Sequence, residues 1–368
     1  MLRAIPCTLM RGGTSKGLYF HARDLPAARA ARDRVLLAAM GSPDTRQIDG
    51  IGGAHPLTSK AAVMGPATRP DADLDYLFLQ VGVDRAEVSD SQNCGNILAG
   101  VGPWAIEQGL IRAREGTTPV RIHMVNTGSV AVAHVPTSAH LVEYEGAARI
   151  DGVPGTAAGI PIEFLDVAGS TCGALFPTGA VLDRCDGIEV TCIDNGMPVV
   201  LLRASDLGKN GGESPEALEA DESLKQRIET IRLSLGQAMR LGDVARKTVP
   251  KMCLVSRARQ GGDINTRTFI PHRVHEAVGV LGAVSVATAC MAPGSIAADF
   301  AGSGSGTRRL NIEHPTGFFT VEMDAAMHQG ALRVNRAALL RTARKLMHGE
   351  VYVSEHAWRG SAAEEASS

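Results

Sequence analysis

The sequence predicts an α+β fold built from two similar units, each wrapping strands around one buried helix. The first observation is an internal regularity. A strand–turn–strand near residue 5 precedes an apolar helix opening near residue 95, and another near residue 188 precedes an apolar helix opening near residue 282. Both separations are about 90 residues. The second is length: 368 residues suit two domains of roughly 150 residues each. The third is 41 glycines, which fit a chain of tight turns and close backbone approaches.

The elements follow in order. Ile5 to Phe20 reads as strand–turn–strand around Arg11-Gly12-Gly13-Thr14-Ser15-Lys16-Gly17. A helix is expected over Ala27 to Met40, then the Gly-rich stretch Asp49 to Gly53. Tyr76 to Val83 and Ala86 to Ser89 read as strands, and Cys94-Gly95 opens a helix to about Gln108. Strands recur at Val120–Val125 and Val130–Val135, and the polar, Gly-rich run from Ser138 to Gly155 marks a domain boundary. The first domain is expected over residues 1–145, with a strand at 350–354 as a candidate addition, and the second over 146–349. In the second, Ile188 to Leu202 turns at Asp194-Asn195-Gly196, and Gly211 to Ala220 is a polar loop. Leu224, Ile228, Ile231, Leu235 and Met239 recur at helical spacing. Met252–Val255 and Ile264–Ile270 read as strands, Ala283 to Met291 as the second central helix and Gly302 to Gly306 as a linker. Residues 360–368 are expected to be a disordered tail.

Composition narrows the function. Thirty-seven basic against 39 acidic residues give a net charge of −2, and aromatics are 4%. Neither a basic surplus nor stacking platforms for nucleic acid are present. The longest apolar stretch, Ala277 to Pro293, contains Gly279, Gly282, Ser285 and Thr288, so it is expected to be a buried helix and not a membrane span. Pro6 and Arg11 interrupt the start before a signal-peptide core forms. Seven cysteines without CxxC pairs point to reduced thiols and a cytoplasmic location.

Chemistry-bearing patterns are few. There is no HExxH, and His272 with His275 lacks a third ligand, so no metal is expected. A P-loop, a dinucleotide fingerprint and a serine elbow are all missing, so no cofactor is expected either. The Arg11–Gly17 turn reads equally as a plain hairpin or as a backbone cradle for a carboxylate. Gln92-Asn93-Cys94-Gly95-Asn96 is the strongest local signal. A thiol at a helix mouth gains acidity and stands beside free N–H donors, though a Cys there also packs like Ala. Lys60 enters the apolar run Ala61-Ala62-Val63-Met64; it is either a desolvated base or a snorkelling side chain. Cys7, Cys172, Cys185, Cys192, Cys253 and Cys290 sit in ordinary apolar contexts.

Met10 to Gly17, Gln47 to Gly53, Pro56-Leu57-Thr58-Ser59-Lys60, Asn93-Cys94-Gly95-Asn96, Asp194 to Pro198 and Ile270-Pro271-His272-Arg273 together resemble the 2-methylaconitate isomerase family. That family lies within the diaminopimelate epimerase-like superfamily. Asn126-Thr127-Gly128, Pro250-Lys251-Met252 and Glu313 to Gly317 resemble its 4-oxalomesaconate tautomerases and Δ-isomerases of gallate and lignin-aromatic breakdown. The resemblance implies a diaminopimelate epimerase-like fold of two similar domains, each a mostly antiparallel sheet around a central helix, with the active site between them. It implies cofactor-free proton transfer on an unsaturated tricarboxylate, by keto–enol or 1,3-allylic shift. Isomerisation of 2-methylaconitate or aconitate is the alternative, and a non-catalytic carboxylate binder is the rival from another class. Amino-acid epimerases of the superfamily use two cysteines; here Gly282-Ala283-Val284-Ser285 offers none, and Cys290 lies about two turns deeper. The family's second acid/base residue matches Lys60, so Lys60 and Cys94 are the expected catalytic pair. Expected substrate-binding residues are Arg11, Gly12, Gly13, Thr14, Ser15, Ser59, Asn93, Gly95 and Asn96 in the first half. In the second they are Asn195, Met197, Lys251, His272, Arg273, Gly282 and Ser285. The expected partner is the small tricarboxylate alone, with no nucleic acid or membrane, and a homodimer is left open.

Overall fold

The computed structural model describes residues 1–360 other than 91, 92, 166 and 272. The expected tail from residue 361, Gln92 and His272 lie outside the described residues. The chain forms two compact units: Met1–Ile162 with the residues from Arg341 onward, and Glu163–Leu340. These borders differ from the expected 145 and 349, for two local reasons. The polar run after Ser138 folds back within the first unit through the Ala148↔Ala157 bridge. The strand Ala343–Ser354 pairs along its whole length with Leu2–Gly12.

In the first unit the hairpin Leu2–Gly12 and Ser15–His21 is antiparallel. Its second arm runs parallel to Lys60–Pro66, which pairs antiparallel with Leu74–Val81. The latter runs parallel to Gly116–Met124, which pairs antiparallel with Ser129–Ser138. These strands curl around the helix Gly95–Glu107, buried at every position from Ile97 to Ile106. The opposite face carries the helix Arg29–Met40, whose Val35, Leu36, Ala39 and Met40 pack with Ile5, Cys7, Leu18, Phe20, Ala61, Val63, Leu79 and Val81. Alternation along a strand therefore sorts this sheet into an outer face (Leu18, Ala61) and an inner face (Tyr19, Lys60, Ala62).

The second unit repeats the sequence of pairings. Ile188–Asp194 and Pro198–Arg203 form the hairpin, whose second arm runs parallel to Lys251–Ser256. That strand pairs antiparallel with Ile264–Ile270, which runs parallel to Gly306–His314. Its central helix is Val280–Met291, buried from Gly282 onward. Its outer layer is the helix Glu222–Ala238, with Leu224, Ile228, Ile231 and Leu235 buried as the periodicity predicts. The duplication read from the sequence is thus present strand by strand, and the fold is α+β of the diaminopimelate epimerase-like kind.

Several details differ from expectation. The second central helix starts at Val280 and not Ala283, with Gly279 as its cap. Ala86–Ser89 shrinks to the two-residue strand Val88–Ser89. The strands Gly317–His328, Ala331–Arg341 and Ala343–Ser354 lack a strong apolar alternation, because their exposed positions carry Ala, Leu and Met as well as charge. Their pairing partners define them. No helix among the described residues is long and apolar enough to cross a membrane.

Candidate active site

Lys60 is the first residue of its strand, paired with Gly17 on one side and Gln80 on the other. Its side chain lies on the inner face and is only 6% exposed. Nζ donates to Gln80 Oε1 at 2.5 Å and stands 5.1 Å from the centre of the Phe78 ring. Gln80 is itself oriented: its Nε2 donates to the carbonyls of Ser59 (3.0 Å) and Pro56 (3.1 Å), which leaves Oε1 to accept from the lysine. Burial pulls the Lys60 ammonium below its ordinary value, and Cys94 opposes that pull. Gly17 is required here, since a Cβ would lie 2.4 Å from the Lys60 carbonyl oxygen.

Cys94 caps the helix Gly95–Glu107 in extended conformation (φ −126°, ψ 101°) and is half-exposed. The first N–H groups of that helix, from Gly95 and Asn96, have no intrahelical acceptor. Tyr76 donates its hydroxyl to the Cys94 carbonyl at 3.3 Å. Four buried cysteines are raised by their burial, Cys7 up to about 11 and Cys172, Cys253 and Cys290 up to about 12. A buried thiol whose ionisation is raised in this way packs as a small apolar side chain.

The hairpin turn meets this helix mouth. A Cβ on Gly12 would lie 2.4 Å from the Asn96 carbonyl oxygen, and one on Gly13, at φ 51°, would lie 2.2 Å from Asn96 Oδ1. Asn96 Nδ2 donates to Thr14 Oγ1 at 3.1 Å, and Asn93 Nδ2 donates to Thr127 Oγ1 at 2.7 Å. Three buried atoms here, Ser15 Oγ, Asn93 Oδ1 and Asn96 Oδ1, find no partner among the described residues. Unsatisfied polar atoms gathered beside a thiol and a lysine are suited to hydrogen-bond a polar ligand.

Two expected residues stand apart. Ser59 is buried, but its hydroxyl bonds Gln47 Oε1 at 2.8 Å and so locks the Gln47–Lys60 loop. Arg11 follows Leu9 onto the outer face, and its Nη1 braces the turn by donating to Gly13 O (2.9 Å), Thr342 O (3.1 Å) and Thr342 Oγ1 (2.9 Å). Sequence reasoning missed Gln80 and Arg341. The Arg341 guanidinium is 2% exposed, and burial pulls it down to about 9 while Cys94 opposes the shift. An arginine directly after the apolar run Ala337–Leu340 was the available signal.

In the second unit, Asn195 is buried; its N–H donates to Ser285 Oγ (3.1 Å) and its Nδ2 to Thr288 Oγ1 (2.7 Å). Ser285 Oγ in turn donates to the carbonyl of the half-buried Met197 at 2.7 Å. These contacts tie the turn to the central helix and leave Asn195 Oδ1 without a partner among the described residues. Lys251 opens its strand opposite Val199, as Lys60 opens its own opposite Gly17. Burial, with help from Arg232, pulls Lys251 down to about 8. Next to it, His275 is also held below its ordinary value, by burial and then by Lys251. Arg273 is exposed, and Gly282 lies inside the helix where a Cβ would meet only ordinary contacts.

The chain matches the family described as PrpF protein over residues 2–354. It is 60% identical over 357 residues to the 4-oxalomesaconate tautomerase of Pseudomonas putida, covering 97% of this chain and 98% of that one. It is 59% identical over 349 residues to the (4E)-oxalomesaconate Δ-isomerase of a Novosphingobium species, covering 95% and 97%. Among solved structures, a methylitaconate Δ-isomerase matches with a TM-score of 0.86 at 34% identity, covering 98% of both chains. A thiol at a helix mouth, a desolvated lysine coupled to it and these kinships agree: the chain belongs to the PrpF family and is an isomerase.

Proposed function

We propose that the chain isomerises 4-oxalomesaconate, an unsaturated tricarboxylate, by cofactor-independent proton transfer carried out by Lys60 and Cys94. The tautomerase and Δ-isomerase relatives support the substrate. The observation that carries the chemistry is Lys60: buried, aimed by Gln80 and lowered toward useful basicity beside a helix-capping thiol.

The step is balanced within the substrate. One of the pair removes a proton from a carbon next to the carbonyl, and the electron pair moves into the conjugated carbonyl system. A proton then returns at a different atom, so no oxidant or reductant takes part. Helix N–H groups of Gly95 and Asn96 and the Ser15 hydroxyl supply hydrogen bonds to the developing oxyanion or to a carboxylate, while Asn93 Oδ1 and Asn96 Oδ1 accept from a protonated carboxyl or an enol hydroxyl. Gly12, Gly13 and Thr14 shape that wall. Lys251 takes a further carboxylate. The reaction belongs to a cytoplasmic route of gallate-type aromatic breakdown.

An ultraviolet assay with 4-oxalomesaconate and 2-methylaconitate side by side tests the substrate. Incubation in heavy water tests the chemistry: solvent-derived deuterium must appear in the tricarboxylate. Binding without label leaves a carboxylate-binding protein instead, and faster turnover of 2-methylaconitate moves the chain to the other isomerase class.

A further inference from the structure

The register of the first unit places three cations in one row. Arg11 lies directly opposite Arg344 on one neighbouring strand and directly opposite Lys16 on the other. Like charges facing each other across strands destabilise a sheet. Arg11 is half-buried, and its guanidinium is held below its ordinary value by burial and then by Arg344. No described carboxylate lies within ion-pairing distance of Lys16 or Arg344, whereas the nearby Lys345 is paired with Glu107 at 2.8 Å. All three cations line one cavity of about 1180 Å³, with Glu145 as its exposed carboxylate. Neither Lys60 nor Cys94 lines it, although Thr14 and Ser15 of the hairpin turn border it; Arg11 and Lys16 share the outer face with Leu18, away from Lys60.

We propose that this cavity is a second anion site, taking a di- or tricarboxylate across Arg344, Arg11 and Lys16, separate from the Lys60–Cys94 pair. A bound polyanion converts the cross-strand repulsion into charge-assisted hydrogen bonds, and two adjacent guanidiniums suit bidentate carboxylates.

Citrate is the probe, used on the full chain and on the double variant Lys16→Met/Arg344→Met, followed by segment-resolved hydrogen exchange and thermal melting. Citrate is expected to protect the backbone of residues 343–346 in wild type, and to raise its melting temperature more than that of the double variant. The double variant loses the protection at 343–346, keeps kcat at saturating substrate within about twofold, and melts no lower than wild type without citrate. Protection at 343–346 that persists in the double variant, or is absent from wild type, overturns the site. Should the double variant fail to fold, the single variants Lys16→Gln and Arg344→Gln must each show a partial loss of that protection. Because the readout is binding, it stands or falls independently of the substrate assigned to Lys60 and Cys94.

Discussion

The mouths of the two central helices have the same strands around them and different residues at them. Helix Gly95–Glu107 is capped by Cys94, and Lys60 lies within its electrostatic reach. Helix Val280–Met291 is capped by Gly279, and the lysine at the matching strand start is Lys251. Both helices are buried almost throughout, so close packing constrains their bodies, whereas the cap positions Cys94 and Gly279 are not buried. A lysine stands at both strand starts and a thiol at only one helix mouth. The duplicated scaffold therefore keeps two cations, and the proposed proton-transfer pair lies in the first unit.

The sharpest break in that asymmetry comes from the first unit. Lys60→Met and Cys94→Ser are each expected to cost at least about two orders of magnitude in kcat, the range of general acid–base catalysis, with circular dichroism unchanged. Near-wild-type turnover in either variant removes that residue from the chemistry.

Gln80 comes next. Gln80→Leu frees the Lys60 ammonium from its acceptor and is expected to lower kcat about tenfold or more through misorientation. Gln80→Glu puts a carboxylate beside Lys60, favours the charged ammonium, and moves the rise of kcat/KM with pH to higher pH. A pH profile identical to wild type in the Glu variant would detach Gln80 from Lys60.

Lys251 tests the second unit. Lys251→Ala is expected to raise KM far more than it lowers kcat, by about 1.5–3 kcal/mol of lost binding, as for a hydrogen bond to a charged group. Lys251 is held at about 8, so its charge is present below that pH and lost above it. Wild-type KM must therefore climb as pH passes through 8, and that climb must vanish in the Ala variant. A KM that is flat with pH and indifferent to the substitution returns Lys251 to a structural role.

The smallest effect belongs to Gly279→Cys. The Gly279 backbone is ordinary for any residue (φ −65°), and a Cβ there meets nothing within 4 Å. The variant is expected to melt within a few degrees of wild type and to add one thiol to those that react with a soluble disulfide reagent. An unreactive new thiol would mean that the second mouth is closed to solvent.

Much of this was legible in the chain. Two apolar stretches set behind short Gly-containing caps announced the central helices, and the hairpin turns followed from Gly13 and Asn195-Gly196. Lys60 was visible because a lysine opening an apolar strand is out of place. Gln80 was not, because it reaches Lys60 across a strand pair that no local pattern encodes. Arg341 carries one local signal, its place directly after the apolar run Ala337–Leu340. For Arg11, counting by twos from Leu9 gives the outer face, where it stands opposite Arg344 and Lys16 and not beside Lys60. The long C-terminal strands escaped because they mix Ala, Leu and charge on both faces, and only their partners define them.

The strand Ala343–Ser354 also has a consequence for how the protein is made. Thr8 pairs with His348, 340 positions away, and the pairing continues from Leu2 to Gly12. During synthesis the Leu2–Gly12 edge must wait, unpaired on that side, until nearly the whole polypeptide has left the ribosome. Within Glu163–Leu340 the pairings among Ile188–Asp194, Pro198–Arg203, Lys251–Ser256, Ile264–Ile270 and Gly306–His314 all fall in one continuous segment, which can condense first. Contacts at such separation slow folding. An exposed edge strand is an invitation to intermolecular pairing. Premature termination anywhere before residue 343 would leave that edge permanently open, so truncated products should be found in aggregates and not as half-enzymes.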